Sequence, residues 1–132
     1  MIIPMLYMKD LAAAIEFYKQ AFGAVERWRI DHEGRVHVAE MLIGSALFRM
    51  HDETSRNQNV GPLTAQATTV VIDLLVEDPD GLAKRAVTAG ATELSPVQDY
   101  DYGYRQGTVR DPFGHLWCLE KFVDLKRVPT GV

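Results

Sequence analysis

Arg110-Asp111-Pro112-Phe113-Gly114, followed by Leu116-Trp117-Cys118, is the second of two related passages, and the pair decides the fold. The first is Leu42-Ile43-Gly44 before Ala46-Leu47-Phe48. Upstream, Met8-Lys9-Asp10 opening one helix returns as Val76-Glu77-Asp78 opening another. The offsets, 78 − 10 = 68 and 114 − 44 = 70, drift little, so the chain reads as one short unit used twice.

Working outward, Ile2–Met8 reads as a strand with Pro4 tolerated near its start. Asp10 caps a helix running to about Phe22, with Leu11, Ala14, Ile15, Tyr18 and Phe22 on one continuous apolar face and Gly23 closing it. Three strands follow at Val25–Ile30, Val36–Ile43 and Ser45–His51, with turns at Glu33-Gly34 and Gly44. The polar stretch Asp52–Ala67 reads as a linker. Thr68–Val76 then reads as a buried strand, Asp80–Ala89 as a second helix closed by Gly90, and Glu93–Val97, Gly107–Arg110 and Leu116–Phe122 as the last strands. The segment Gln98–Gln106 reads as an aromatic loop. The expected fold class is α+β, with two βαβββ modules forming a curled eight-stranded sheet around a cleft. A sheet covered by one helix leaves its other face open, and two such faces enclose a ligand site. The expected domain spans residues 1–123, with modules of about 1–51 and 68–123, linker 52–67 and tail 124–132.

Composition bounds the function. At 132 residues, with 47% apolar and 24% charged, the chain suits one globular domain. A net charge of −4 and no basic stripe speak against a nucleic-acid partner. No apolar run is long enough for a membrane span. One cysteine, Cys118, excludes an internal disulfide, and the N-terminus lacks a secretory signal, so a cytoplasmic location is expected.

Pro4-Met5-Leu6 with Asp10-Leu11, Phe17-Tyr18, Ala21-Phe22-Gly23-Ala24, Ala89-Gly90-Ala91-Thr92 and Gly107–Trp117 together resemble the vicinal oxygen chelate superfamily. That superfamily includes glyoxalase I, extradiol dioxygenases, fosfomycin-resistance enzymes and bleomycin-binding proteins. The FYxxxFGA and RDPFGHxW segments look most like its PhnB-like branch. The resemblance covers residues 1 to about 123 and implies a homodimer.

In metal-dependent members the resemblance implies one ligand from the first and one from the fourth strand of each half. Counting seven residues back from Asp10 and Asp78 gives Ile3 and Val71; counting seven forward from Asp111 gives Cys118. The internal repeat, carried back to four residues past Gly44, gives Phe48. Three apolar side chains and one thiol do not make a metal site, so no metal and no cofactor are expected there.

By strand parity Met5, Tyr7, Met50, Asp73 and Glu120 are expected to share the cleft with Ile3, Phe48, Val71 and Cys118. Tyr102, Tyr104 and Arg105 are expected at its mouth, to stack on a planar ligand or grip an anion; the alternative is a packing role. Asp73 with Glu120, joined by His37 or His51, is the candidate for a displaced metal, though none stands at a recognised ligand spacing. Arg49 is expected on the side away from the cleft, and His37 and Glu40, three apart, on opposite faces of their strand. Trp28 reads as either core or pocket wall, Trp117 as core, and Asp111 as a turn carboxylate accepting backbone amides. The first reading of function is a metal-free small-molecule binder for a hydrophobic or cationic compound. The alternatives are a lyase, isomerase or dioxygenase with a shifted metal or Asp73/Glu120 acid–base chemistry, and an interaction module whose cleft its own side chains fill.

Overall fold

A computed structural model describes residues 1–53 and 58–124. The expected tail from residue 125 and part of the linker lie outside the described residues. The element order is β1 (Met5–Met8), α1 (Leu11–Phe22), β2 (Val25–His32), β3 (Arg35–Ile43), β4 (Ala46–Asp52), α2 (Pro62–Ala65), β5 (Val71–Leu75), α3 (Pro79–Ala89), β6 (Thr92–Asp99), β7 (Tyr104–Arg110) and β8 (Leu116–Phe122). Two four-stranded sheets result, ordered β1-β4-β3-β2 and β5-β8-β7-β6. In each, the first strand runs parallel to the fourth and the rest are antiparallel.

Helices α1 and α3 start on the aspartates that the repeat singles out. Asp10 accepts the Ala13 amide and Asp78 the Gly81 amide, satisfying donors that a helix start leaves unpaired. The halves meet helix on helix, α1 against α3. Leu11, Ala14, Ile15, Tyr18, Ala21 and Phe22 pack against the helix-facing side of β3 and β4, where Ala39, Met41, Phe48 and Met50 lie buried. Trp117 and Leu119 close this core from the second half.

Several expected boundaries move. β1 starts at Met5, after Pro4, which has no amide to give to a ladder. Ile3 therefore precedes the strand. β5 starts at Val71 and is mostly exposed, with Val71 at 50% and Leu75 at 60%, because it is an edge strand whose outer face no helix covers. The linker holds the short helix α2, entered on Pro62. The aromatic loop shrinks to residues 100–103, since β6 extends to Asp99 and β7 begins at Tyr104.

Candidate functional site

Each sheet has one helix-facing side and one open side, and the candidate site residues fall on both. In the C-terminal half, β5 and β8 align Val71 with Leu116, Asp73 with Cys118 and Leu75 with Glu120. Trp117 and Leu119 between them face the core, so Val71, Asp73, Cys118 and Glu120 lie on the open side. Cys118 Sγ lies 3.7 Å from Glu120 Oε2. Burial, reinforced by the Glu120 and Asp73 charges, pushes the thiol up to about 12, so at neutral pH it stays protonated and is a poor nucleophile. Burial likewise raises the Glu120 carboxyl above its ordinary value, and Asp73 adds to it. Tyr102 neighbours this group, its hydroxyl raised by burial first, then by the charges of Tyr100, Cys118 and Glu120. Tyr100, Tyr102, Tyr104 and Phe122 form a run of ring contacts beside it, at 5.2, 5.9 and 4.8 Å.

In the N-terminal half the pairing corrects the expected lining. Phe48 and Met50 alternate with Arg49, and it is Phe48 and Met50 that face the helix, 4% and 0% exposed. The Phe48 ring packs on Tyr18 at 5.2 Å and on Trp117 at 5.6 Å. Arg49 instead points to the open side, level with Met5, as Tyr7 is level with His51. The reason is the place of the glycine in each turn. Arg49 pairs with Met5 and Glu40 as Cys118 pairs with Asp73 and Thr108, yet Gly44 stands 49 − 44 = 5 residues before Arg49 and Gly114 only 118 − 114 = 4 before Cys118. Carrying a position from glycine to glycine therefore lands one residue off, which flips the face. Arg49, not Phe48, is the counterpart of Cys118. The positions where the family resemblance implies metal ligands are thus Ile3, Arg49, Val71 and Cys118, and a guanidinium, two apolar chains and a single thiol do not fit a metal. Among the described residues no group of three His, Cys, Asp or Glu side chains converges to hold one.

Arg105 also departs from expectation. Its guanidinium takes Asp80 on α3 at 2.6 and 2.8 Å and Asp99 at 3.1 Å, so it braces the helix side and does not stand at a cleft mouth. His37 and Glu40 share the open face despite their spacing of three. A bulge makes this possible, because Ile30 pairs with Val38 and Asp31 with Val36, leaving His37 as the extra residue. The His37 ring lies 4.6 Å from His51, which stacks on Tyr7 at 5.0 Å.

The group that strand parity missed is centred on Glu40, 4% exposed. It accepts Arg49 Nε at 2.9 Å and the Trp28 indole N–H at 3.1 Å, and Arg27 Nε lies 3.6 Å away. The available signal was a carboxylate in the middle of an apolar strand, one hairpin away from an arginine.

Asp111 has the structural role its turn implies, and more. Oδ1 accepts the amides of Phe113 at 2.9 Å and His115 at 3.0 Å, while Oδ2 accepts Tyr18 at 2.5 Å and Trp117 Nε1 at 2.8 Å. Burial, with the Asp111 charge second, raises the Tyr18 hydroxyl well above its ordinary value. Where the halves meet, a cavity of about 310 Å³ brings Asp73 from β5 beside Leu47 from β4, with Ile2 and Pro4 at its edge. A larger one, of about 690 Å³, lies by the α1 start and the β2–β3 turn, away from the open faces.

Two βαβββ halves, each with one covered and one open sheet face, define the class: a duplicated-module α+β fold. The chain belongs to the Glyoxalase/Bleomycin resistance protein/Dioxygenase superfamily, whose family model matches residues 3–119. An uncharacterized protein of Mycobacterium bovis is 37% identical over 120 residues, covering 88% of this chain and 79% of its own length. Among solved structures, TioX from Micromonospora sp. ML1 superposes with a TM-score of 0.75 at 26% identity, covering 92% of this chain and 97% of its own. A gene product of Arabidopsis thaliana gives 0.74 at 27%, covering 90% and 96%.

Proposed function

We propose that the protein binds a small organic molecule on its open sheet faces without a metal. One observation carries the reading: a guanidinium fixed by Glu40 stands at the counterpart of Cys118. A cation at that point repels a metal ion as well as failing to ligate it. The acidic face around Asp73 and Glu120, with Tyr102 and Tyr104 beside it, suits a hydrophobic or cationic group. The reading includes a homodimer, supported by apolar side chains left uncovered on both sheets, among them Val25, Ile30, Val71, Leu75 and Leu94. The FYxxxFGA and RDPFGHxW segments support the PhnB-like branch. Native mass spectrometry of tag-free protein, before and after incubation with Ni, Zn, Mn and Fe(II), tests it. A dimer carrying an organic adduct and no stoichiometric metal supports the reading, and one tightly held metal per site overturns it.

A second reading, proton transfer by Glu120, is favoured by its raised carboxyl and by Asp73 beside it. Metal-free isomerisation of the methylglyoxal–glutathione hemithioacetal, abolished in Glu120→Gln, would establish it.

A further inference from the structure

The open face of the N-terminal sheet carries a charge arrangement opposite to the acidic face of the C-terminal one. Glu40 is nearly sealed from water, and a carboxylate in that state is costly unless paired. One cation would pair it, yet the fold supplies two. A register shift in β2 between Glu26 and Trp28 lets Arg27 and Trp28 both approach the same carboxylate from consecutive positions. Arg49 comes from the other side, on β4.

Arg49 meets Glu40 through an Nε hydrogen bond at 2.9 Å, and Arg27 through an ion contact of its Nε at 3.6 Å. Among the described residues their terminal nitrogens make no other hydrogen bond, and the two side chains are 52% and 39% exposed. Two cations on one anion leave a surplus positive charge. Beside it lies the Trp28 indole, 36% exposed, with the Arg49 guanidinium 5.6 Å from its ring centre. Buried Glu40 thus fixes two forked donors and an aromatic surface on an open sheet.

We infer that this cluster recognises a planar oxyanion carried on an aromatic ring, an aryl carboxylate being the simplest case. The oxyanion takes the free edges of Arg49 and Arg27 in paired charge-assisted hydrogen bonds, and the ring lies against Trp28. This deepens the small-molecule reading, on which it rests, by assigning the anionic end of the ligand to the N-terminal half. The acidic face of the other half keeps the opposite preference.

The test is a titration of the full chain with naphthoate, naphthylmethanol and naphthylmethylammonium, followed by tryptophan fluorescence. Trp117 is 1% exposed, so quenching reports Trp28. Naphthoate is expected to quench and to bind about tenfold more tightly than the alcohol. That preference is lost in Arg49→Gln, reduced in Arg27→Gln, and weakened by high salt. Circular dichroism of both variants checks that they fold, and either one that does carries the test. Equal quenching affinities, or a preference for the ammonium, overturn the oxyanion site. Absence of quenching by all three also overturns it. The native mass spectrum still decides separately whether the protein holds a small molecule at all.

Discussion

The two halves share one ladder and use it differently. Helix α1 buries Leu11, Ala14, Ile15, Phe17, Tyr18, Ala21 and Phe22, whereas α3 buries Pro79 and Ala86 alone. The turn before β8 carries the buried Asp111, which reaches across to Tyr18 of the first half, while the shorter turn before β4 carries no such group. The open faces differ as sharply: two arginines on one buried glutamate in the first half, and Asp73, Cys118 and Glu120 in the second. Duplication kept the register within each sheet, because register decides which face meets the core. Divergence collected where register does not constrain it, on the open faces and in one turn.

The largest effect should come from the carboxylate that ties the halves together. Asp111→Ala leaves the Tyr18 hydroxyl, the Trp117 indole and two backbone amides without their acceptor. Each unsatisfied buried group costs about 1–3 kcal/mol, so a loss of about 4 kcal/mol or more is expected in urea unfolding. Tyr18→Phe removes one of those bonds and should cost only about 1 kcal/mol. Similar losses for the two would mean that Asp111 is not the hub.

Next comes the inequality of the helices. Ile15→Ala on α1 opens a cavity in a fully buried position and should cost about 3 kcal/mol. Leu82→Ala on α3, at a half-buried position, should cost about 1 kcal/mol. Equal shifts in the urea midpoint would show a core shared evenly between halves, against the burial pattern. The two turn glycines give a smaller contrast. Both hold positive φ, +57° at Gly44 and +91° at Gly114, where a side chain is strained. A Cβ on Gly44 meets nothing within 4 Å, so Gly44→Ala should cost about 1 kcal/mol of backbone strain. On Gly114 the same atom lies 2.8 Å from Pro62 Cβ, so Gly114→Ala should cost clearly more.

The repeat made the fold legible because hydrophobic alternation, two capping aspartates and glycine-closed helices are local signals. The C-terminal open face was legible for the same reason: Val71, Asp73, Cys118 and Glu120 follow from alternation within strands already located. The N-terminal face was not. Gly44 stands one residue further from Arg49 than Gly114 does from Cys118, so a count from glycine to glycine names Phe48 where Arg49 faces outward, and two bulges put His37 with Glu40 and Arg27 with Trp28. The place of a glycine in its turn and bulges shift parity without changing composition, so alternation cannot detect them. Arg105 was misplaced for a different reason, since its partner Asp80 is far in sequence and on another element.

The smallest expected effect tests the acidic face itself. Glu120 has a carboxyl raised by burial and by Asp73. A raised carboxyl means that the folded state holds its proton more tightly than the unfolded chain does. Stability is then lost, not gained, as pH climbs from the ordinary glutamate value of 4.5 through the raised one. Glu120→Gln keeps the shape and removes the charge, so it should raise Tm at pH 7, by a few degrees at most. The gain should vanish below pH 4.5, where both states carry the proton. Glu40→Gln offers the opposite sign, because there the buried carboxylate accepts Arg49 and the Trp28 indole and its charge is matched by Arg49 and Arg27. Thermal melts of both variants across pH would show one face stabilised and the other weakened by the same chemical change. Matching signs would erase the difference between the halves on which both binding proposals depend.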